Sequence, residues 1–419
     1  MDALPVEVIG NILSLLAAAR DVIIASATCR KWREAACRHL RALRFCPDDW
    51  PVYHELSTEQ LEVLITQTIL QTSCLHDLSL CVGDEEFSAA PVIAWLISTR
   101  ESLRFLTYMI QARPFVNLLD RCGRRKLEVL HIGNITIPTV DPKIHKFPVL
   151  RSLTLNRVSI SALDIKLLLV SCPKLESLSL INTSISLPQT DGEATLELNS
   201  QSLKSFSLEA VSLDNITLDV DNLESISLKD STLEHFEVLS KGGLRVLKMD
   251  DVSIMQFDVG QGMENLEVVD LSNFTVIWPH LYQKISEACK LRRLRLWGPV
   301  DVEDEVMDLE TIALSFPQLT RLALSYELED GILQHALKGS SFLEKVTVLE
   351  VGSTTINELF SQWISALLGR CPSLKRLVVH GHLSEAKVRE DYQKIARFNS
   401  SVVDLMRKYV NVEIQFVFS

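Results

Sequence analysis

A short pattern of apolar positions, apolar-x-x-apolar-x-apolar, recurs through almost the whole of this 419-residue chain. In most copies the last two apolar residues flank one polar residue, and this alternation predicts a short strand with one buried face. The copies begin at Leu40, Leu75, Leu103, Leu127, Leu150, Leu175, Leu203, Leu223, Leu244, Leu266, Leu291, Leu319, Val346 and Leu374.

Most successive copies start roughly 20–28 residues apart, which is the period of leucine-rich repeats. Each repeat is one strand followed by a return segment, and no repeat can bury its apolar face alone, so the repeats stack. The pattern therefore predicts an α/β leucine-rich-repeat solenoid, a horseshoe with a parallel β-sheet on its concave face.

The return segments are of two kinds. Between Leu203 and Leu266 they alternate like strands, as in Asn215–Val220 and His235–Val238, which predicts an extended convex side and a flatter array there. Other segments have helical periodicity or length: Thr58–Thr72, Leu163–Val170, Leu281–Ala288, Val306–Leu314 and Ile356–Leu368. We expect Ser384–Tyr409 to form two helices and Val410–Phe418 a closing strand, which together cap the last repeat.

The N-terminal stretch has a different, helical pattern. Pro5 suits the first turn of a helix. Asp21 and Thr28 are candidate N-caps of two further short helices. Helices this short cannot bury their own apolar residues, so they either pack on the repeats or present an apolar face to a partner. The apolar stripe of the first helix comprises Val8, Ile9, Ile12, Leu13 and Leu16.

Five motifs follow one another in this stretch: Leu4-Pro5, Glu7, Ile12-Leu13-Ser14, Asp21-Val22-Ile23 and Cys29-Arg30-Lys31-Trp32-Arg33. In order and spacing they resemble the F-box, the helical module that docks onto the Skp-type adaptor of a cullin–RING ubiquitin ligase. Thr28 stands where the family often has Val. With the repeats, the chain resembles plant F-box/leucine-rich-repeat proteins, with an F-box at 1–39, repeats at 40–383 and a cap at 384–419.

The resemblance implies a non-catalytic substrate receptor of a Skp–cullin–F-box (SCF) ligase. The repeats would hold a protein target for ubiquitination, and the adaptor would connect the receptor to a cullin. Trp32 would hold the helices of the module together. The residues expected to meet the adaptor are Leu4, Pro5, Val8, Ile9, Ile12, Leu13, Leu16 and Val22.

Composition narrows the function classes further. A net charge of -12 argues against a general nucleic-acid binder, which needs basic surface. No apolar run reaches the roughly 18–20 residues of a membrane span, and the N-terminus lacks a basic leader region. The nine cysteines include no Cys-x-x-Cys pair, so we expect neither a zinc site nor a disulfide framework. These features favour a reduced compartment, the cytosol or the nucleus.

No motif predicts a catalytic or metal centre, and we expect no cofactor. Gly260-Gln261-Gly262 lacks the third glycine of a dinucleotide fingerprint, and His380 with His382 has no further ligands. The acidic run Asp301–Glu305 fits a helix start. Cys172, Cys289 and Cys371 recur just before a repeat's first leucine, where a small buried residue is a simpler interpretation than a nucleophile.

The concave face changes in character along the chain. In the middle it carries small polar residues such as Ser152, Ser179 and Ser207. Towards the C-terminus arginine and tryptophan, which are enriched in interface hot spots, indicate capture of an acidic or phosphorylated target. The alternative is a solvated face balanced by neighbouring carboxylates. These candidate target-binding residues are Arg293, Arg295, Trp297, Arg321, Arg376 and His380.

Two other interpretations stay open at this stage. The chain could be a binding or scaffold protein outside any ligase, whose N-terminal helices only cap the solenoid. An enzyme could also reside in the C-terminal segment Ser384–Ser419. Binding of the Skp adaptor separates the first alternative from the receptor, and turnover by the purified chain would be needed to support the second.

Overall fold

The computed structural model describes residues 4–82, 86–122, 125–140, 147–186, 195–239, 243–259, 263–276, 281–297, 309–326, 328–329, 332–333, 339–353, 358–381, 400 and 403–418. The chain divides into two compact units, Met1–Leu213 and Asp214–Ser419. This division lies inside the repeats, away from both expected domain boundaries. Strand β13 (Ser212–Asp219) contains the division point.

The first unit opens with three helices that precede the repeats. Its helices are α1 (Val6–Leu16), α2 (Ala19–Thr28), α3 (Arg30–His39), α4 (Thr58–Leu70), α5 (Ala89–Thr99), α6 (Leu118–Arg121) and α7 (Ala162–Ser171), with a 3₁₀ turn at Pro51–His54. Its strands are β1 (Ala42–Phe45), β2 (Asp77–Leu80), β3 (Glu86–Ser88), β4 (Phe105–Tyr108), β5 (Gln111–Arg113), β6 (Val129–Gly133), β7 (Ser152–Asn156), β8 (Ser159–Ser161), β9 (Ser177–Ile181), β10 (Ser184–Ser186), β11 (Thr195–Asn199) and β12 (Ser205–Glu209).

A parallel sheet runs through this unit in the order β1-β2-β4-β6-β7-β9-β12. The apolar residues of the repeat pattern pair with one another across it, as Leu78 does with Leu43 and Leu106, and they are buried. The polar residues between them lie on the opposite side, which we call the open face. The leucine spacing therefore determines both the register and which side is the core.

The second unit repeats the arrangement. Its strands are β14 (Ser225–Val238), β15 (Val246–Val259), β16 (Val268–Val276), β17 (Arg293–Trp297), β18 (Arg321–Tyr326), β19 (Leu328–Glu329), β20 (Ile332–Leu333), β21 (Val348–Ser353), β22 (Arg376–Gly381) and β23 (Glu413–Phe418). Its helices are α8 (Leu281–Ser286), α9 (Leu309–Ser315) and α10 (Glu358–Gly369), with a 3₁₀ turn at Met263–Asn265. The parallel order is β14-β15-β16-β17-β18-β21-β22-β23.

The predicted switch from helical to extended returns is confirmed. Strands β14 and β15 each continue for 14 residues, through the repeat strand and into its return segment. They stay paired to Val238↔Val259, and the rings of Phe236 and Phe257 stack 5.5 Å apart between the two returns. The β-branched and aromatic residues of these segments fit a pleated surface, which explains why they form strands.

The helical returns are also confirmed where they can be seen. Helices α4, α7, α8 and α10 lie within two residues of the predicted bounds. Helix α9 begins at Leu309, and residues 301–308, with the acidic run, lie outside the described residues. The closing strand is β23, paired in parallel with β22, and residues 403–408 are helical. The rest of the expected cap helices, Gly260–Gly262 and His382 also lie outside the described residues.

Seven consecutive repeats have a residue in the left-handed conformation at the same position. It directly follows the strand in four of them and lies inside the longer strands β14, β15 and β16 in the other three. Each lies two positions after the last apolar residue of the pattern and has φ between 46° and 57°. Asn and Asp tolerate this conformation better than other non-glycine residues, and they occupy five of the positions. The residues are Asn134, Arg157, Asn182, Ala210, Asp230, Asp251 and Asn273.

Candidate docking and target-binding surfaces

The three N-terminal helices pack through a close helix crossing. On α1, Ile9, Gly10 and Leu13 are buried. Gly10 lies so near His39 of α3 that a Cβ added to the glycine would be 2.3 Å from the Cβ of His39. Only glycine fits at this crossing, so Gly10 allows the two helices to approach and to cover Ile9 and Leu13.

Two contacts join this module to the first strand. The Ser14 hydroxyl donates to the Gly10 carbonyl at 2.8 Å and accepts the Arg41 N–H at 2.8 Å. The Arg44 N–H of β1 donates to the Ala17 carbonyl at 2.7 Å. Ala17, with φ at 57°, ends α1 and turns the chain into α2. These bonds fix the orientation of α1 on the first repeat.

The outer side of α1 exposes an apolar surface, which we call the α1 apolar face. Side chains at i, i+4 and i+7 of a helix share one side, and here they are Val8, Ile12 and Leu15. Exposed apolar residues grouped in this way mark interaction sites. The face comprises Leu4 (37% exposed), Val8 (40%), Ile12 (37%), Leu15 (87%) and Leu16 (48%).

The structure corrects the set of expected adaptor contacts. Ile9, Leu13 and Val22 have at most 2% exposure, so they form the core of the module and not its surface. Leu4, Pro5, Val8, Ile12 and Leu16 are exposed as a docking role requires. Sequence reasoning missed Leu15 and also Ile24, which is 51% exposed on α2. The helical period alone could have placed Leu15 beside Val8 and Ile12.

The expected N-caps are wrong for both following helices. Ala18 precedes α2, and Asp21 lies in its first turn, where a carboxylate faces the positive end of the helix dipole. Cys29 precedes α3, and the Thr28 hydroxyl donates to the Ala25 carbonyl inside α2 at 2.7 Å. Trp32 is half-buried in α3.

The open face of the first unit is formed by two parallel rows of side chains. Most are small, as expected for the middle of the chain, but the rows begin with larger groups. One row runs Asp77, Phe105, Val129, Ser152, Ser177, Ser205. The next runs Ser79, Thr107, His131, Thr154, Ser179, Ser207.

The arginines of the second unit's open face are already paired with carboxylates. Asp270 contacts Arg293 at 3.3 Å and Arg295 at 3.6 Å. Glu350 lies 3.8 Å from Arg321, and Glu413 lies 3.1 Å from Arg376. This surface therefore alternates in charge, as in the balanced-face alternative, and is not a plain cationic patch.

Trp297 lies across the neighbouring strands of this face. A Cβ added to Gly352 of β21 would meet the indole at 2.6 Å, so the ring rests on that glycine. The ring meets His380 of β22 edge to face at 5.1 Å, and the Arg295 guanidinium lies 4.9 Å from its centroid. The contact between guanidinium and ring is a cation–π interaction. Trp297, Arg295 and His380 thus form a continuous surface, which we call the Trp297 platform.

The thiols of Cys172 and Cys371 have a structural role rather than a reactive one. Burial raises the pKa of Cys172 and of Cys371 to about 12, so neither is a thiolate at neutral pH. Cys289 differs from the expectation because it is exposed, and Ala288 takes the buried position instead. Among the residues described, no group of three or more His, Cys, Asp or Glu side chains could hold a metal ion.

The fold and these surfaces define a class of protein: a leucine-rich-repeat array that carries an N-terminal helical module with an exposed apolar helix. No helix within the described ranges has the length and apolar character to span a bilayer. The F-box-like family model matches residues 1–44, and the model described as "FBD-associated F-box protein At5g56370, LRR repeats" matches residues 101–263.

The chain is also similar to two proteins of Arabidopsis thaliana. It is 51% identical to "F-box/LRR-repeat protein At1g67190" over 418 residues, which cover 99% of both chains. It is 26% identical to "F-box protein At1g10780" over 228 residues, which cover 49% of this chain and 53% of that protein. The chain belongs to the family of plant F-box/leucine-rich-repeat proteins.

Proposed function

We propose that this protein is the substrate-recognition subunit of an SCF-type ubiquitin ligase, acting in the cytosol or the nucleus. The α1 apolar face, exposed on an F-box-like module, is the observation that carries the proposal. Burying Leu15 alone contributes about 1.5–3 kcal/mol. Leu4, Pro5, Val8, Ile12, Leu15 and Leu16, with Ile24 of α2, contact the Skp-type adaptor, and the adaptor connects to a cullin.

The repeats hold a protein target, and a partner enzyme transfers ubiquitin to it. The receptor contributes proximity, because it raises the local concentration of the target's lysines at that enzyme. In the second unit the Trp297 platform, with Arg293, Arg321 and Arg376 around it, is the proposed target contact. The paired carboxylates favour a target with mixed polar and aromatic groups over a purely acidic one, since each guanidinium is already neutralised.

Co-purification with a Skp-type adaptor tests the docking half of the proposal. The full chain should bind the adaptor, and Leu15→Asp should abolish binding because it places a charge at the most exposed position of the α1 apolar face. Leu163→Asp is the matched control, since Leu163 of α7 is also exposed, at 63%, and lies outside the helical module. If the folded native chain does not bind the adaptor, the ligase role is wrong and a scaffold protein remains. If both variants bind the adaptor equally, the α1 apolar face is not the contact surface.

A further inference from the structure

The row that contains Asp77 on the open face of the first unit includes an unusual group. Asp77 is half-buried, yet among the described residues its carboxylate has no hydrogen bond and no Lys or Arg nitrogen within 4 Å. The Asp77 carboxylate is not among the described, fully buried side-chain groups that lack a partner, so it reaches the surface and can accept hydrogen bonds from a bound molecule. Burial raises the pKa of Asp77, and the fields of Arg44 and His131 only partly oppose this rise.

The neighbouring cations are not available to Asp77. Arg44 is engaged by Asp49 through Nε at 2.8 Å and through Nη2 at 2.9 Å. His131 lies two strands away, and burial lowers its pKa, which favours the neutral imidazole. Arg104, before the next strand, donates through Nε to Glu128 at 2.9 Å. Within the described part of the chain, Asp77 is therefore a carboxylate without a close cation of its own.

An exposed aromatic ring lies directly beside this carboxylate. Phe105 of β4 is paired with Asp77 in the register of the sheet and is 39% exposed. Neighbouring strands are about 4.8 Å apart, so one planar group can contact both side chains. Beyond Phe105 the row continues through Val129 to the small side chains of Ser152 and Ser177, which leave the sheet accessible to an extended chain.

A carboxylate next to an aromatic face matches the chemistry of a guanidinium. Arginine donates two parallel hydrogen bonds to a carboxylate and stacks on an aromatic ring, whereas lysine is a compact point charge. We propose that Asp77 and Phe105 bind an arginine side chain of the target, with the guanidinium over Phe105 and its N–H groups on Asp77. The net charge of -12 favours the approach of a basic segment.

This inference rests on the target-receptor part of the proposed function, and its test does not involve the adaptor. The probe is a pair of degenerate nonapeptide pools whose central residue is arginine or citrulline, the uncharged analogue of the same shape. Binding of each pool to the full chain is measured by fluorescence anisotropy. We expect the native chain to prefer the arginine pool by about tenfold, the size of one charged hydrogen-bonded contact.

Asp77→Asn and Phe105→Ala should each reduce this preference to near unity. Glu234→Gln is the matched control for charge, because it also removes one carboxylate, from an exposed position in the return part of β14. It should keep the preference. Equal binding of the two pools by the native chain would overturn the proposal, and so would an arginine preference that Asp77→Asn retains. Failure here with intact adaptor binding leaves the ligase role standing.

Discussion

The raised pKa of Asp77 implies that its charged carboxylate destabilises the folded chain at neutral pH. Burial raises the pKa of Asp77, so the folded state holds the proton more tightly than the unfolded state does. In the unfolded chain an aspartate has a pKa of about 3.9. The protonated side chain of Asp77 therefore stabilises the folded chain below the unfolded-state pKa, and this contribution is lost as the pH rises through the raised pKa of the folded state. A residue that costs stability and has no partner in the described structure is typical of a functional position.

Asp77→Asn should therefore raise the melting temperature at pH 7.5, because the amide removes the cost of burying a charge at nearly the same shape. The difference in melting temperature between variant and native chain should narrow as the pH falls, because the raised pKa lets the folded chain protonate Asp77 before an ordinary aspartate would be protonated. Calorimetry at several pH values measures both effects. A lower melting temperature for Asp77→Asn at pH 7.5 would show that the carboxylate has a stabilising partner.

Residues of this kind mark the limit of what the sequence could predict. The leucine periodicity was enough to predict the strands and the inward side, because burial of alternate residues admits one solution. Asp77 could not be singled out, since its character depends on how neighbouring repeats cover it. The left-handed positions were partly readable from Asn134, Asn182 and Asn273, but Arg157 and Ala210 occupy the same turn without a preference for it.

Among the elements, α1 illustrates how one helix can serve two surfaces. Its inner side needs Gly10 to approach α3, and its outer side exposes Leu15. The sequence shows a wide apolar stripe, but it does not show which part of the stripe faces inward, because that depends on the crossing with α3. For this reason Ile9 and Leu13 were assigned to the surface and Leu15 was missed.

Gly10→Ala should force α1 away from α3, because the new Cβ would overlap His39. Overpacking of this kind costs about 1–3 kcal/mol of unfolding free energy, and it should also weaken adaptor binding. Denaturant unfolding and adaptor co-purification measure the two effects. Gly369→Ala in α10 is the control, since nothing lies within 4 Å of the position and alanine favours helix. If Gly10→Ala changed neither the free energy of unfolding nor adaptor binding, the close crossing of α1 and α3 would be refuted.

Over the molecule as a whole, the repeats are joined mainly by their buried leucines. Ion pairs also connect some neighbouring repeats, as Arg104 does with Glu128, Arg151 with Glu176 and Arg245 with Glu267. All three arginines are about half exposed or more, so such pairs contribute little, about 0–1 kcal/mol each. The stability of the array therefore depends on contacts between neighbours, and distant surfaces act independently.

The adaptor surface and the arginine site should accordingly be separable. The Leu15→Asp variant should no longer bind the adaptor but should keep the preference for arginine peptides. The Asp77→Asn variant should still bind the adaptor but should lose that preference. The double variant should show both losses without further change, since the two residues lie on different elements and share no described partner. Co-purification and anisotropy on the same preparations measure this. Loss of the adaptor by Asp77→Asn alone would contradict the separation.

The long paired strands β14 and β15 also restrict which insertions and deletions this protein can tolerate during evolution. An inserted residue in a repeat with a helical return can be absorbed in a loop. In β14 an insertion would displace every pair beyond it, up to Val238↔Val259, and would turn Phe236 away from Phe257. The length of one of these repeats can therefore change only if the neighbouring repeats change with it. Related genes whose repeats differ in length should differ outside this region.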